Sequence, residues 1–574
     1  MHNVVSRGVI IAVLAAAGLA PTAANAQLIK YATTKLAPAI NTDAGQTFGV
    51  DNGGISAPVF NLGSLSKGFE GISQYDVASV GRNFIPPDTI GAAGRTQYVQ
   101  FTNGGFAVYD KATGLRTSFT SDTAFWQAAG LQGVPNGDQR VLFDATTKRF
   151  IAISFGANTK DLLVAVSNTS DALGGWKSTT FEGFTPLAAG ARTLADYPTL
   201  AIDNNAVYIG TNNFGAATVG GATNFRGTTL NVIPLSSIMA AGGPSVAGNV
   251  QFVTPFSGAS SSNDFTRGFA IQGVNSREST DGIGHIIAAS INDYGLTRYD
   301  VLNAGTAGAV RTATFSTTIG TDYLNNNPAR QPAADAIVGN PALPNGIAAN
   351  RRIIDSFGDQ ISSSAFEHAG KIYSVHTVTE NGTDRTVVRY TVLDTATNAV
   401  LDEGSLGDAT HDFYQGSMAV NRLGQVVISY NRSGLDPTDG RITLAVRIFK
   451  TNALGQLVEQ GSEIVLRVSD TDDYHNGALY GRTAVGRQRW ADYSSVTLDP
   501  MSVHSFWVTG TFAREYNLAA FGHPGGTGGS RWGTYIAEIN AGAVPEPSSW
   551  ALLIAGFGLV GAAARRQRRA PAAD

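Results

Sequence analysis

ADYSSVTLDPMSVHSFWVTG, residues 491–510, is the stretch whose reading decides the fold. An Asp opens it, a short strand-like alternation follows, then a polar turn, then a second strand rich in β-branched and aromatic residues. The same plan recurs in GDQRVLFDATTKRFIAIS from Gly137, ADYPTLAIDNNAVYIGT from Ala195, GDQISSSAFEHAGKIYSVHT from Gly358 and HDFYQGSMAVNRLGQVVISY from His411. A sixth copy starts near Asp88, in PPDTIGAAGRTQYVQFTNGGFAVYD, and a seventh, weaker one lies around Phe269. After most copies comes a further strand-like run, such as LLVAVSN from Leu162, TTLNVIPL from Thr228 or ITLAVRIFK from Ile442.

Three or four strands per unit at a spacing of roughly 50 to 90 residues is too long a period for β-helix coils and matches blades that hide their apolar faces against each other. The sequence therefore predicts an all-β chain, a β-propeller over residues 84–541 with seven blades of mostly four-stranded antiparallel sheets. Six or eight blades stay open, because Asn303–Asn350 carries few strand signals and reads as a long loop or a lost blade. Residues 27–83, poor in periodicity, form a lead segment that either supplies a closing strand or simply leads in.

Composition agrees with an exported β protein. Of 574 residues only 15% are charged, 67 are Gly and none is Cys, which excludes thiol catalysis and Cys-based metal sites. The net charge is −4, and outside the C-terminal tail there is no basic run, so a nucleic-acid partner is not expected.

The Asp that opens each repeat supplies the candidate site. Asp88, Asp138, Asp196, Asp359, Asp412 and Asp492 each precede an inner strand and are expected at one rim of a central channel. A ring of carboxylates suits a hard cation such as Ca²⁺ or the hydroxyls of a sugar. The plainer expectation is that each Asp caps the backbone of its own turn. Arg140, Tyr197, Phe413 and Tyr493, next to these aspartates, are expected to frame the mouth with a cation and aromatic rings. No catalytic residue is assigned: the eight His are scattered without an HExxH, there is no GxSxG or P-loop, and the GxGxxG at Gly556–Gly561 lies in an apolar run without a βαβ context.

The termini read as an address. Arg7, the run VIIAVLAAAGLA and Ala24-Asn25-Ala26 make residues 1–26 a secretory signal peptide for signal peptidase. At the other end, residues 542–574 hold Pro545, Glu546 and Pro547, then Trp550 and a short apolar span, then Arg565, Arg566, Arg568 and Arg569. The apolar span is short of the roughly 20 residues of an ordinary transmembrane helix, and the arginines would stay cytoplasmic.

This tail resembles the PEP-CTERM sorting signal of Gram-negative bacteria. The resemblance implies transient anchoring in the inner membrane, processing by an exosortase-type enzyme, and display at the cell surface or in the extracellular matrix. The stretches from Pro86, SNTSDALGGW from Ser167, WADYSSVTLDP from Trp490 and RWGTYIAEI from Arg531 resemble exported bacterial propellers of a loosely sialidase-like kind, which implies a fold more than a reaction. The function expected is a non-enzymatic module that binds extracellular polysaccharide or a surface protein. The alternative is a glycan-active hydrolase or lyase on the same scaffold, although the Asp-box is incomplete at Ser170-Asp171 and Gly175-Trp176.

Overall fold

The computed structural model describes residues 63–542, apart from 83, 134, 185–193, 216–223, 256–268, 280, 290–294, 313–314, 319–322, 325–327, 333–352, 357–359, 381, 473, 475–487 and 517–529. The expected signal peptide, residues 543–574 of the tail and Asp359 lie outside the described residues.

Strands dominate, and they group in chain order. Sheet I comprises Ile90–Ala93, Gln97–Thr102, Gly105–Asp110 and Arg116–Ser121; sheet II comprises Gly137–Asp144, Arg149–Phe155, Asp161–Ser167 and Trp176–Glu182. Sheet III comprises Leu194–Ile202, Ala206–Gly215, Asn224–Pro234 and Val250–Pro255. Group IV starts with Gln272–Asn275, Gly284–Ala289 and Gly295–Leu302, and group V has Ala365–His368, Lys371–Glu380, Thr386–Asp394 and Val400–Leu406. A short parallel pairing of Val274 with Ala365 and Asn275 with Phe366 joins IV and V into one ten-stranded sheet. Sheet VI has His411–Val420, Gln425–Gly434 and Thr443–Thr451, with Leu457–Glu459 and Ile464–Val468 both on the last of these.

Sheet VII combines the two ends of the described chain: Ser495–Leu498, Ser505–Tyr516 and Ser530–Asn540 are completed by Ser64–Ser73, antiparallel to Ser530–Asn540. The lead segment thus contributes a strand. Its sequence, SLSKGFEGIS, shows no clear alternation because most of the strand is only partly buried. The stretch expected as one long loop contains short strands too. Val310–Arg311 and Phe315–Thr318 extend group IV, Tyr323–Leu324 pairs with Lys371–Glu380, and Ala329–Arg330 joins Ile353–Asp355 and Gln488–Arg489 in a three-stranded sheet.

The inner strands are continuous apolar runs because both faces are buried. In Arg149–Phe155, Phe150 and Ala152 pack into a core shared with sheet I, while Ile151 and Ile153 pack into a core shared with sheet III. Side chains two apart point the same way, so one strand serves two cores. The pattern continues around the molecule: Tyr208 and Ile286 join III to IV, Ile287 and Ile372 join IV to V, Val375 and Ile428 join V to VI, and Val446 and Val508 join VI to VII. A last core joins VII to I, with Trp507 and Ile536 against Tyr98 and Tyr109. Outermost strands alternate instead: Trp176–Glu182 is buried at Trp176 and exposed at Lys177, Phe181 being half-buried.

Neighbouring sheets approach closely only where side chains are small. Gly210 lets sheet III meet group IV: a Cβ there would lie 2.3 Å from the Ile271 carbonyl oxygen, and that oxygen accepts a 2.7 Å bond from Thr199 Oγ1. Gly210→Ala is therefore expected to destabilise the chain by about 1–3 kcal/mol, the usual cost of overpacking. Unfolding in urea checks this, and an unchanged midpoint would contradict the close approach.

Candidate functional site

The first strands of all seven groups run side by side, and the two ends of this bundle differ. At the end where the strands begin lie four of the expected aspartates. Asp88 and Asp138 themselves adopt left-handed backbone, with φ of 44° and 53°, and the equivalent positions in III, IV and VI are filled by Tyr197, Ala270 and Gln415 at 51°, 51° and 57°. Asp accepts such geometry more readily than most residues because its short side chain bonds locally.

Asp88 and Asp138 make bonds that cross between sheets, whereas Asp196 also accepts the N–H of the adjacent Tyr197 and Asp492 accepts from the nearby Arg489. Asp88 of sheet I accepts the Asp492 backbone N–H at 2.7 Å and the Asn103 Nδ2–H at 2.7 Å. Asn103 in turn accepts the Asp138 backbone N–H at 2.8 Å, and Asp138 Oδ2 accepts the Tyr197 backbone N–H of sheet III at 3.2 Å. The Asp138 and Asp196 side chains hydrogen-bond to each other. Arg489 Nη2 donates to Asp492 Oδ1 at 2.6 Å, and Arg489 Nε lies 3.7 Å from Asp355 Oδ2.

Crowding of acids away from water sets their protonation. Burial, reinforced by the Asp492 carboxylate and opposed by Arg489, pushes Asp88 up to about 8. Burial and Asp492 raise Asp196 to about 6; burial, then Asp196, Asp88 and Asp492, holds Asp138 well above the carboxylate range. Asp492 is raised by burial, with Arg489 opposing. Protons and arginine, together with backbone N–H groups, balance the cluster. Among the described residues no group of three or more His, Asp or Glu is arranged to hold a metal ion, so the fit to Ca²⁺ expected of the ring is not met there.

Asp412 stands apart from this cluster. Arg330 donates to it from Nε at 2.8 Å, from Nη2 at 3.1 Å and from its backbone N at 2.9 Å, and the Thr386 N–H adds a fourth bond at 3.0 Å. Asp412 thereby ties sheet VI to group V and to the small three-stranded sheet.

The expected frame of rings around an open mouth needs correction, because its members are buried. Phe413 is 1% exposed and packs 5.1 Å from Tyr430 in the core between V and VI, since alternation turns it away from the axis. Arg140, Tyr197 and Tyr493 form a plug instead. The Arg140 guanidinium lies 3.4 Å from the Tyr493 ring centre and 5.1 Å from that of Tyr197, and its Nε donates to the Pro198 carbonyl at 3.0 Å. The two phenols reach across the axis, Tyr493 to the Gln139 carbonyl at 2.9 Å and Tyr197 to the Asp492 carbonyl at 3.2 Å.

The opposite end is open. A cavity of about 600 Å³ is lined there by the closing residues of all seven first strands, among them Ala93, Asp144, Ile202, Asn275, Val420 and Leu498. That volume is in the range of ligand pockets. Its charges come from residues to which the sequence drew little attention. Asp144 meets Arg277 at 2.6 Å, Glu278 meets His368 at 2.7 Å, and Asp499 meets Lys111 at 2.7 Å. The remaining two are Glu367 and the exposed Arg422. No motif marks this end: Ala93, Asp144, Ile202, Val420 and Leu498 follow Asp88, Asp138, Asp196, Asp412 and Asp492 at unequal spacings, and Asn275 follows no opening Asp.

The raised value at Asp88 carries a pH dependence with a definite sign. An unfolded Asp releases its proton near 3.8 while the folded one keeps it to about 8, so this contribution is complete below about 4 and is lost as pH rises through 8. Melting curves from pH 5 to 9 are expected to fall less steeply for Asp88→Asn than for the native chain. Parallel curves would contradict the assignment.

Comparison with known proteins adds an address and no reaction. No curated protein matches the chain. Among solved structures it is similar to a protein of unknown function from Dyadobacter fermentans, at 10% identity and TM-score 0.33 over 79% of this chain and 94% of that one. It is also similar to a Synechocystis apocarotenoid oxygenase variant, at 10% identity and TM-score 0.34 over 66% and 71%, and to the WD40 domain of SCAP from fission yeast, at 9% and 0.31 over 78% and 82%. No helix among the described residues is long and apolar enough to cross a membrane. The family described as the PEP-CTERM protein-sorting motif matches residues 543–569, and this supports an exported protein, processed by an exosortase and destined for the cell surface.

Proposed function

We propose that the chain is a closed seven-bladed β-propeller, loosely sialidase-like in fold, that is held transiently at the inner membrane by its tail and then displayed at the cell surface. There it binds an extracellular protein or polysaccharide without turning it over. The observation that carries this reading is a cavity lined by the ends of the first strands of groups I to VII, opposite a plugged end. The plug favours binding from one side only, so the open cavity takes the role first expected of the Asp rim.

The charges of the cavity argue for binding rather than hydrolysis. Paired-carboxylate chemistry needs two acids facing one substrate, one of them free to donate a proton. Asp144 and Asp499 are paired with Arg277 and Lys111, and Glu278 is held by a hydrogen bond to His368, which leaves Glu367 without a free partner acid. The Asp138 and Asp196 pair does share a hydrogen bond, but it sits at the plugged end.

Ser364, half-buried in the cavity wall, offers a direct test. In titrations against the host's extracellular polysaccharide and its secreted proteins, the native chain is expected to bind one fraction saturably and to release no products. Ser364→Trp should weaken that binding at least tenfold while the melting temperature stays within a few degrees. Product release, or binding indifferent to the bulky residue, would contradict the proposal.

A further inference from the structure

Resting on the reading of the cavity as the binding site, we infer that its first occupant is the chain's own tail: Val544-Pro545-Glu546-Pro547 docks in the cavity mouth, and an outside ligand has to displace it. The course of the chain is the reason. Gly542, the last described residue, leaves sheet VII at the cavity end. The Ala541 N–H donates to the His504 carbonyl at 2.8 Å, and Gln425 Nε2 donates to the Ala541 carbonyl. His504 belongs to the turn after the first strand of sheet VII, whose Met501, Ser502 and Val503 line the cavity, and Gln425 follows the turn of sheet VI that lines it with Arg422. The strand that ends at Asn540 is third in its sheet, two strand spacings or about 10 Å out from the first. Extended, residues 543–547 reach about 17 Å, enough to enter the mouth.

The mouth beside this exit suits the segment. Leu498, Met501 and the neighbouring Leu423 leave hydrocarbon exposed there, and Phe143, Ile202, Phe366 and Val420 continue the apolar wall inward. Pro545 and Pro547 have no N–H to strand against such walls, and the hydroxyls of Ser364 and Ser502 are donors for the segment's carbonyls. Arg422, exposed in the same mouth, makes no ion pair or hydrogen bond among the described residues, and Glu546 brings the opposite charge. Weak contacts suffice, because a short tether holds the segment at an effective concentration on the order of millimolar.

The test uses the purified full-length chain in detergent micelles, which take up the apolar span, and rests on the lack of native cysteine. Ala145, exposed on the cavity wall, belongs to the end of sheet II, two sheets round from the exit. In an Ala145→Cys, Ser548→Cys chain, mild oxidation is expected to form an intramolecular disulfide. Arg422→Glu should slow its formation at least fivefold, and Glu546→Arg added to Arg422→Glu should restore the rate. Free thiols under the same conditions, or a rate indifferent to Arg422→Glu, would overturn the inference. A disulfide formed only between two chains would give the cavity to a second copy's tail and overturn it as well. The cavity reading is judged separately: extracellular fractions that bind and are blocked by Ser364→Trp keep it standing when the disulfide fails, and fractions that do not bind sink it even when the disulfide forms.

Discussion

Everything in this structure depends on each inner strand burying both of its faces, one against the preceding sheet and one against the following sheet. Among the described residues, successive sheets share apolar cores in chain order, and one core brings residues of sheet VII together with residues of sheet I. The consequence is a strong demand on the junction between sheets VII and I, where strands hundreds of residues apart in the chain must meet. That junction is dense in specific contacts. Tyr98 stacks on Trp507 with ring centres 5.2 Å apart, an arrangement worth about 0.5–1.5 kcal/mol beyond burial. Lys111 reaches Asp499 at 2.7 Å, Gln100 reaches Thr534 at 2.7 Å, and the Gly91 N–H reaches Ser495 at 3.0 Å.

The buried aspartates belong to the same demand. Asp88 accepts a backbone N–H of sheet VII, Asp138 one of sheet III and Asp412 one of group V, so each holds the neighbour's chain in place. Concentrating them near one axis raises their affinity for protons, and Arg489 and Arg140 lower the electrostatic cost. The Arg140 plug fills the axis at that end. The other end, where the strands finish, holds the cavity.

Much of this was legible in the sequence. The opening Asp, the double strand and the third run marked the sheets because every unit solves one packing problem with similar residues. The aspartates at 88, 138, 196 and 492 were found together for that reason. Their role was not legible: a carboxylate that caps a neighbouring sheet looks, in sequence, the same as one that caps its own turn. Phe413 was misplaced because it directly follows Asp412, and successive side chains of a regular strand point to opposite faces, which puts its ring in the core between V and VI. Strand Ser64–Ser73 was left undecided because its ladder to Ser530–Asn540, not an apolar pattern, holds it. The cavity was invisible for a different reason, since its walls come from seven separate strand ends and only their closure brings Glu367, Ile202 and Val420 to one space.

Closure is therefore the central claim, and the absence of native cysteine makes it directly measurable. Ser64 and Asn540 face each other where the first described strand pairs with the last. In a Ser64→Cys, Asn540→Cys double variant, mild oxidation of the folded chain should form one intramolecular disulfide nearly quantitatively, and the product should melt at a higher temperature than its reduced form. Oxidation that yields only free thiols or intermolecular species from a folded, monomeric chain would contradict a ring closed by its two ends.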